Sequence, residues 1–415
     1  MTRFNNWHSA NWLLAGAIAI ALFCLGAFVD RQAYYACWLA AWWTCAGAVL
    51  GSQANLWLHD LTGGAWGLPL RPIWRRVAAA MPMLLALMLP LVVAAWTFYP
   101  WAQPGWTPQA EAPAFKAAWL SPPFVTVRLL VYAALWQATA LMSARREAYW
   151  TAREIDSVRG RAAASADEQY ERPQPGKRRK GGSAFCLFVY GLTVSLASVD
   201  LVQSLMPQWY SSGFGLIAVA MQMKLGFALG VLGASAPGQW QTTPGQRNAG
   251  HAGPVAPYKD KTIFLAEMGR DWGNLLLMYV LMWAYVGFVQ FLIIWAENLP
   301  NEIAWYVPRL QTGWVWLGGT LVMAGFFAPL FLLLFRSVKQ NRQRLRGLAM
   351  ALCMLGWAES VWVTLPSVPG LTWHALWMAP LALAGMAALL RTMPLPGEHR
   401  MRQRPIAATQ VQEGE

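Results

Sequence analysis

Residues 184–206 read AFCLFVYGLTVSLASVDLVQSLM, an apolar run interrupted by a single charge, Asp200. A helix rises about 1.5 Å per residue, so roughly 20 apolar residues cross the hydrocarbon core of a bilayer. This run is long enough, and the chain repeats the pattern. Comparable runs lie at about 12–29, 34–58, 77–98, 122–141, 211–234, 271–295, 314–335, 347–365 and 372–390. Composition agrees. Of 415 residues, 57% are hydrophobic and 12% are charged, half the ~25% of charged residues usual in soluble proteins. The expected fold class is an all-α integral membrane protein of about ten transmembrane helices, its membrane domain covering 1–391. The first run is flanked by Arg3 alone and shows no clear small-x-small cleavage site before Asp30. That favours a retained helix over a secretory signal. Pro82 and Pro90 fall inside the third run and predict a kink, since neighbouring helices can re-satisfy the freed carbonyls.

Orientation follows from the basic residues. Of the 32, Arg31, Lys116 and Arg309 fall on one set of connections, and Arg128 and Lys224 fall within spans. The other 27 lie on the alternate set, which the positive-inside rule assigns to the cytoplasm. Both termini are then cytoplasmic. The connection 142–183, ending in Lys177-Arg178-Arg179-Lys180, reads as a basic cytoplasmic loop with a loose middle, and 392–415 as a polar tail. Such charges ordinarily meet anionic lipid headgroups, so no nucleic-acid partner is expected. A Gly/Pro/Gln-rich stretch, 235–257, divides the chain after the sixth run.

The five cysteines, Cys24, Cys37, Cys45, Cys186 and Cys353, are scattered and form no Cys-x-x-Cys pair. This argues against an iron–sulfur cluster, a structural zinc or a covalently attached haem in this chain, and packing thiols are expected. No catalytic triad, metal-ligand cluster or phosphate loop is present. Trp42, Trp43, Trp96, Trp101, Trp106, Trp295, Trp305 and Trp314 fall near the predicted membrane interfaces, where such rings are ordinarily enriched.

Ionisable residues inside spans are costly, about 2.5–3.5 kcal/mol at the bilayer centre on insertion scales, and so are candidate site residues. Arg128 lies in the fourth run, Asp200 in the fifth, Lys224 in the sixth and Glu359 in the ninth, with His374 at the outer end of the tenth. His59 and Asp60 stand at the inner end of the second run, and Glu267, Arg270 and Asp271 at that of the seventh. Two readings compete. Arg128, Asp200, Lys224 and Glu359 could line a buried path that relays protons or holds a quinone headgroup. Alternatively, Arg128–Asp200 and Lys224–Glu359 are neutralising pairs that pin helices together. Headgroup contact at a helix end is a further alternative for Arg128 and His374. Helix-end solvation is one for His59, Glu267 and Asp271.

Four blocks carry a family resemblance. One is Ser195-Leu196-Ala197-Ser198-Val199-Asp200-Leu201, continuing from Ser204 to Pro207-Gln208-Trp209-Tyr210-Ser211-Ser212-Gly213-Phe214-Gly215. A second is His59-Asp60-Leu61-Thr62-Gly63-Gly64-Ala65-Trp66-Gly67. The third opens Asp271-Trp272-Gly273-Asn274-Leu275-Leu276 and runs through Trp283-Ala284-Tyr285 to Phe288-Val289-Gln290-Phe291. The last is Leu292-Ile293-Ile294-Trp295-Ala296-Glu297-Asn298-Leu299-Pro300-Asn301-Glu302 with Trp305-Tyr306. In order and spacing these resemble the NrfD-like membrane subunit of alternative complex III, a quinol:cytochrome c oxidoreductase. The match is to the F-type subunit, or quinone-binding subunit 2, and covers most of residues 50–370.

The resemblance implies two four-helix bundles plus two peripheral helices, in a bacterial inner membrane. It implies a subunit of a respiratory complex, beside a paralogous NrfD-like subunit and multihaem and iron–sulfur subunits that hold the redox centres. This chain would bind no cofactor directly, with a quinone or quinol as the one candidate ligand. Its enzymatic role would be that of a non-catalytic subunit, contributing a proton path. Asp200 and Asp271 match family acids, and Glu359 stands where the family carries Asp. Met206 and Gln208 replace an acid and a His of the family pattern, and Gly356 replaces an Arg. The expected function is therefore a proton-path or quinone-contacting subunit with Asp200, Lys224 and Glu359 as relay groups and Arg128, Asp271 and His59 as further candidates. A purely structural assembly subunit and a stand-alone transporter remain as alternatives.

Overall fold

The structure is a computed structural model that describes residues 2–108, 115–163, 177–236, 261–371 and 376–393. No strand occurs among the described residues. Among the described residues, eight helical segments are long and apolar enough to cross a membrane: Asn11–Val29, Arg71–Thr97, Pro122–Glu147, Lys180–Leu205, Phe214–Ala234, Glu267–Glu297, Trp314–Leu334 and Arg342–Ser367. The chain is an all-α, multi-pass integral membrane protein.

Its principal helices are α1 Thr2–Val29, α2 Arg31–Thr62, α3 Arg71–Ala78, α4 Met81–Ala86, α5 Leu89–Thr97, α6 Pro122–Ala163 and α7 Lys177–Leu201. They continue as α8 Phe214–Ala234, α9 Lys261–Glu297, α10 Trp314–Val322, α11 Ala328–Leu334, α12 Arg342–Thr364 and α13 Met378–Arg391. Helices α6 and α7 extend well beyond the apolar runs into the basic connection, of which 164–176 lies outside the described residues. His374 and the rest of 372–375 also lie outside them, as do most of the stretch 235–257 and the tail from 394.

Contacts sort the helices into two groups. Helices α2, α3–α5, α6 and α7 form one ring, and α8, α9, α10–α11 and α12 another, while α1 and α13 pair against α2. The rings meet along α2 and α8. There the backbones nearly touch: a Cβ on Gly51 would lie 1.9 Å from the Gln222 carbonyl oxygen, and one on Gly226 would lie 2.3 Å from the Gly51 carbonyl carbon. Without a hydrophobic drive between helices in lipid, small residues that allow close approach are what bring them together. Asn55 secures the seam, donating to Gly51 O (2.7 Å) and Met223 O (3.0 Å) and accepting from the Tyr279 hydroxyl (2.7 Å).

The third run is segmented more deeply than one kinked helix. Pro82 and Pro90 each sit in the first turn of a new piece, where a missing N–H costs nothing. Before Pro90 the backbone tightens: Met88 N–H bonds Leu85 O and Leu91 N–H bonds Met88 O, so the carbonyls of Leu84 and Leu87 lose their usual partners. The indoles of Trp42 and Trp38 on α2 donate to those two oxygens, each at 3.0 Å. In lipid an unpaired carbonyl costs several kcal/mol, so these tryptophans are structural partners and not an interfacial belt. Trp43, Trp101 and Trp305 are likewise buried, whereas Trp96 and Trp295 are exposed.

Candidate functional site

The first ring holds one buried ion pair near the C-terminal end of α7. Arg128 on α6 grips Asp200 on α7 with two charge-assisted hydrogen bonds, Nε–Oδ2 and Nη2–Oδ1, both 2.8 Å. Tyr132, one turn on from Arg128, adds its hydroxyl to Oδ2 at 2.8 Å. Nη2 also donates to Trp119 O at 2.9 Å, and the guanidinium lies 4.0 Å from the Trp119 ring centroid and 4.6 Å from that of Phe124. Asp200 has no exposed surface. The planar guanidinium fork matches a carboxylate bidentately, so Asp200 is held on both oxygens by three donors. Tyr99 closes the end of this ring by donating to Leu201 O, 2.9 Å.

The second ring holds the other pair, with fewer contacts on each charge. Lys224 Nζ on α8 donates to Glu359 Oε2 on α12 at 3.0 Å. Trp283 on α9 touches both partners: its indole N–H donates to Glu359 Oε1, and its ring face lies 3.4 Å from the Lys224 ammonium. A cation over an indole face is attracted by the ring quadrupole, about 2 kcal/mol when desolvated. Both charges are at least 95% buried. Gln222, two residues before Lys224, has neither end of its buried side-chain amide partnered. Across α10 and α11, residues Met323–Phe327 form a π-turn whose Gly325 faces the Trp283 ring. Such bulges concentrate at functional sites.

A third polar group lies at the opposite end of the first ring from Asp200. Arg71, buried at the start of α3, donates to Asp60 Oδ1 (2.7 Å), to His59 Nδ1 (2.9 Å) and to Glu147 on α6, which Arg75 also contacts. Ser183 on α7 donates to Asp60 Oδ2 at 2.9 Å. Arg can only donate, so His59 Nδ1 accepts and Nε2–H donates to Gly64 O at 3.0 Å, which fits the neutral imidazole. Helix-end solvation, one reading of His59, is thus replaced by a closed network. Nothing in the sequence pattern marks Arg71 or Glu147 as part of it, because Arg71 reads as an ordinary basic residue and Glu147 lies beyond the fourth apolar run.

The remaining candidates separate. Asp271 is partly exposed near the start of α9 and joins neither pair. Arg309, counted with the outer connections, is instead fully buried. It donates to Trp305 O (2.6 Å), Trp362 O (3.2 Å), Val363 O (2.9 Å) and Ser367 Oγ (2.7 Å), over the Trp305 ring. Burial pulls this guanidinium well below its ordinary pKa, and the carbonyls at the C-terminal end of α12 supply the partial negative charge that holds it. An arginine between Pro308 and a following apolar run gives no sign of this, since three of its four acceptors lie more than fifty residues away. Among the described residues no group of three or more His, Cys, Asp or Glu is placed to hold a metal ion. Asp200, Arg128, Lys224 and Glu359 are thus brought together two by two, in different rings. No protein-family model matches the chain, and no curated protein matches its sequence.

Proposed function

We propose that this chain is a membrane subunit of a quinol-oxidising respiratory complex of the alternative complex III type, in a bacterial inner membrane with both termini cytoplasmic. It would carry no redox centre, and its proton-handling group would be Lys224, Trp283 and Glu359. The resemblance of the four sequence blocks supports the complex. The observation that carries the site is the contrast in how the two acids are bound. A carboxylate locked by a bidentate guanidinium and a tyrosine has no capacity to exchange a proton without breaking three bonds. Glu359, with one ammonium and one indole, can give or take a proton while Trp283 holds its other oxygen. Burial of both charges among α8, α9 and α12 favours proton handling over direct contact with a quinol headgroup. The network of Arg71, Asp60, His59 and Glu147 is the matching polar group at the basic side of the molecule.

A purely structural role is favoured for Arg128–Asp200 by the three donors on its carboxylate, with Nη1 of the guanidinium left without a hydrogen-bond partner. The assignment to a respiratory complex is tested by purifying the chain from its native membrane in mild detergent and identifying what accompanies it. Multihaem and iron–sulfur subunits, with haem absorbance, are the expected result. A chain that emerges alone and without haem would overturn the assignment and leave transport as the reading to pursue.

A further inference from the structure

A polar stripe on α2 runs from the network around Arg71 toward the Lys224–Glu359 pair. Ser52, Asn55 and His59 fall within about 60° of one another on that helix, at roughly 3.6 residues per turn. His59 belongs to the Arg71 network. Asn55, one turn or about 6 Å nearer the middle of α2, accepts from the Tyr279 hydroxyl at 2.7 Å. It also donates to the carbonyl of Met223, the neighbour of Lys224. Tyr279 stands one turn before Trp283 on α9, and the Trp283 indole N–H reaches Glu359 Oε1. Two steps of about one helical turn each therefore lie between the network and the pair, with Tyr279 at the middle. A turn is too long for one hydrogen bond and suits a bridging water. Polar atoms that would hold such water are in place. Ser52 Oγ is fully buried without a hydrogen-bond partner, and neither end of the buried Gln222 amide has one. Gln222 borders the same seam, with its backbone against Gly51. Buried hydroxyls and amides are costly to leave unpaired, and ordered water is what ordinarily satisfies them. Tyr279 Oη, having given its proton to Asn55, keeps lone pairs that accept. Aromatic rings enclose the stripe on one side: Phe227 lies 5.1 Å from Tyr279 and Trp66 lies 5.0 Å from His59, centroid to centroid.

We propose, building on the role given to Glu359 above, that ordered water in the seam of α2, α8 and α9 makes Tyr279 a relay that brings protons to Glu359 from the basic side of the molecule. An excess proton arriving on the water at the His59 side binds Tyr279 Oη, while the proton already on Oη leaves to the water toward Glu359. That water protonates the carboxylate, which releases the Lys224 ammonium. One O–H bond forms for each that breaks, and Tyr279 ends as the neutral phenol it began as. Its hydroxyl then turns back to Asn55, a positioning residue that holds it between transfers.

Two measurements test this. In the first, the unaltered full chain in detergent is exposed to an X-ray pulse that turns water into hydroxyl radicals, and the side chains modified beside bound water are located by mass spectrometry. Tyr279 should be modified well above Tyr99, which is also buried and donates to Leu201 O away from the seam. A Tyr279 as unreactive as Tyr99 would overturn the proposal. The second is Tyr279→Phe in the assembled complex. Yield should be near normal, and quinol turnover per complex should fall about 100-fold, as for a missing proton-transfer group. The remaining rate should also slow more in heavy water than that of the unaltered complex, which a merely structural loss would not produce. Unaltered turnover in Tyr279→Phe beside a loss in Glu359→Gln would overturn the path and leave the role of Glu359 standing. Unaltered turnover in both would overturn both. Should Tyr279→Phe fail to assemble, the radical labelling decides alone.

Discussion

Arg128–Asp200 in the first ring and Lys224–Glu359 in the second are both buried acid–cation pairs, and they are held by different numbers of donors. Asp200 is held by three donors through a planar fork, with two aromatic rings beside the guanidinium. Glu359 is held by an ammonium and an indole, and the ammonium rests on the same indole's face. Removing two charges from a polar medium is expensive in either case, and attraction repays it only when geometry is good and the other lone pairs are satisfied. In the first pair both carboxylate oxygens are satisfied in good geometry, while Nη1 of Arg128 is buried without a hydrogen-bond partner. In the second, one tryptophan serves both charges, and this lighter hold is the basis of the proton-handling role proposed for it. Ionic pairing alone therefore does not mark a working site. The number of donors per carboxylate separates the two.

The largest effect is expected where the first pair is broken. Arg128→Ala leaves Asp200 buried without its countercharge and should destabilise the protein by about 3–5 kcal/mol, read as lost yield and a lower unfolding midpoint in detergent. Replacing both partners by apolar residues, Arg128→Met with Asp200→Leu, should recover most of that loss. A double variant as unstable as the single one would deny that the pair is only a pin. Next comes the seam between the rings. Gly226→Leu must push α2 and α8 apart and should cost about 1–3 kcal/mol, with the loss visible in the same melts. The smallest effect belongs to a single indole. Trp38→Phe keeps the ring and removes the donor to Leu87 O, costing about 0.5–1.5 kcal/mol. A Trp38→Phe protein of unaltered stability would mean that the segmented helix does not need its borrowed donors.

Membrane spans were legible in sequence because lipid imposes a length and a composition on every crossing element, as the run ending in Leu201 illustrates. Asp200, Lys224 and Glu359 stood out for the same reason, as charges inside apolar runs. Their pairing was open because the partners are 72 and 135 residues apart, and helical periodicity relates only near neighbours. Arg309 and Arg71 escaped notice because a basic residue on a connection looks alike whether it meets water or the end of a buried helix. Trp283 and Tyr132 were hidden differently: in a chain with 26 tryptophans, spacing gives no reason to single out the indole that touches two charges.

The claim that the second pair works while the first only holds is tested most directly by turnover per assembled complex in two conservative variants. Glu359→Gln preserves size and polarity beside Trp283 and Lys224; it should assemble in near-normal yield and lose about 100-fold in quinol turnover per complex, the scale of a missing proton-transfer group. Asp200→Asn should do the reverse, lowering the amount of complex while each assembled copy turns over normally. If Glu359→Gln turned over at the unaltered rate, or Asp200→Asn silenced complexes that had assembled, the division of labour between the two rings would be contradicted.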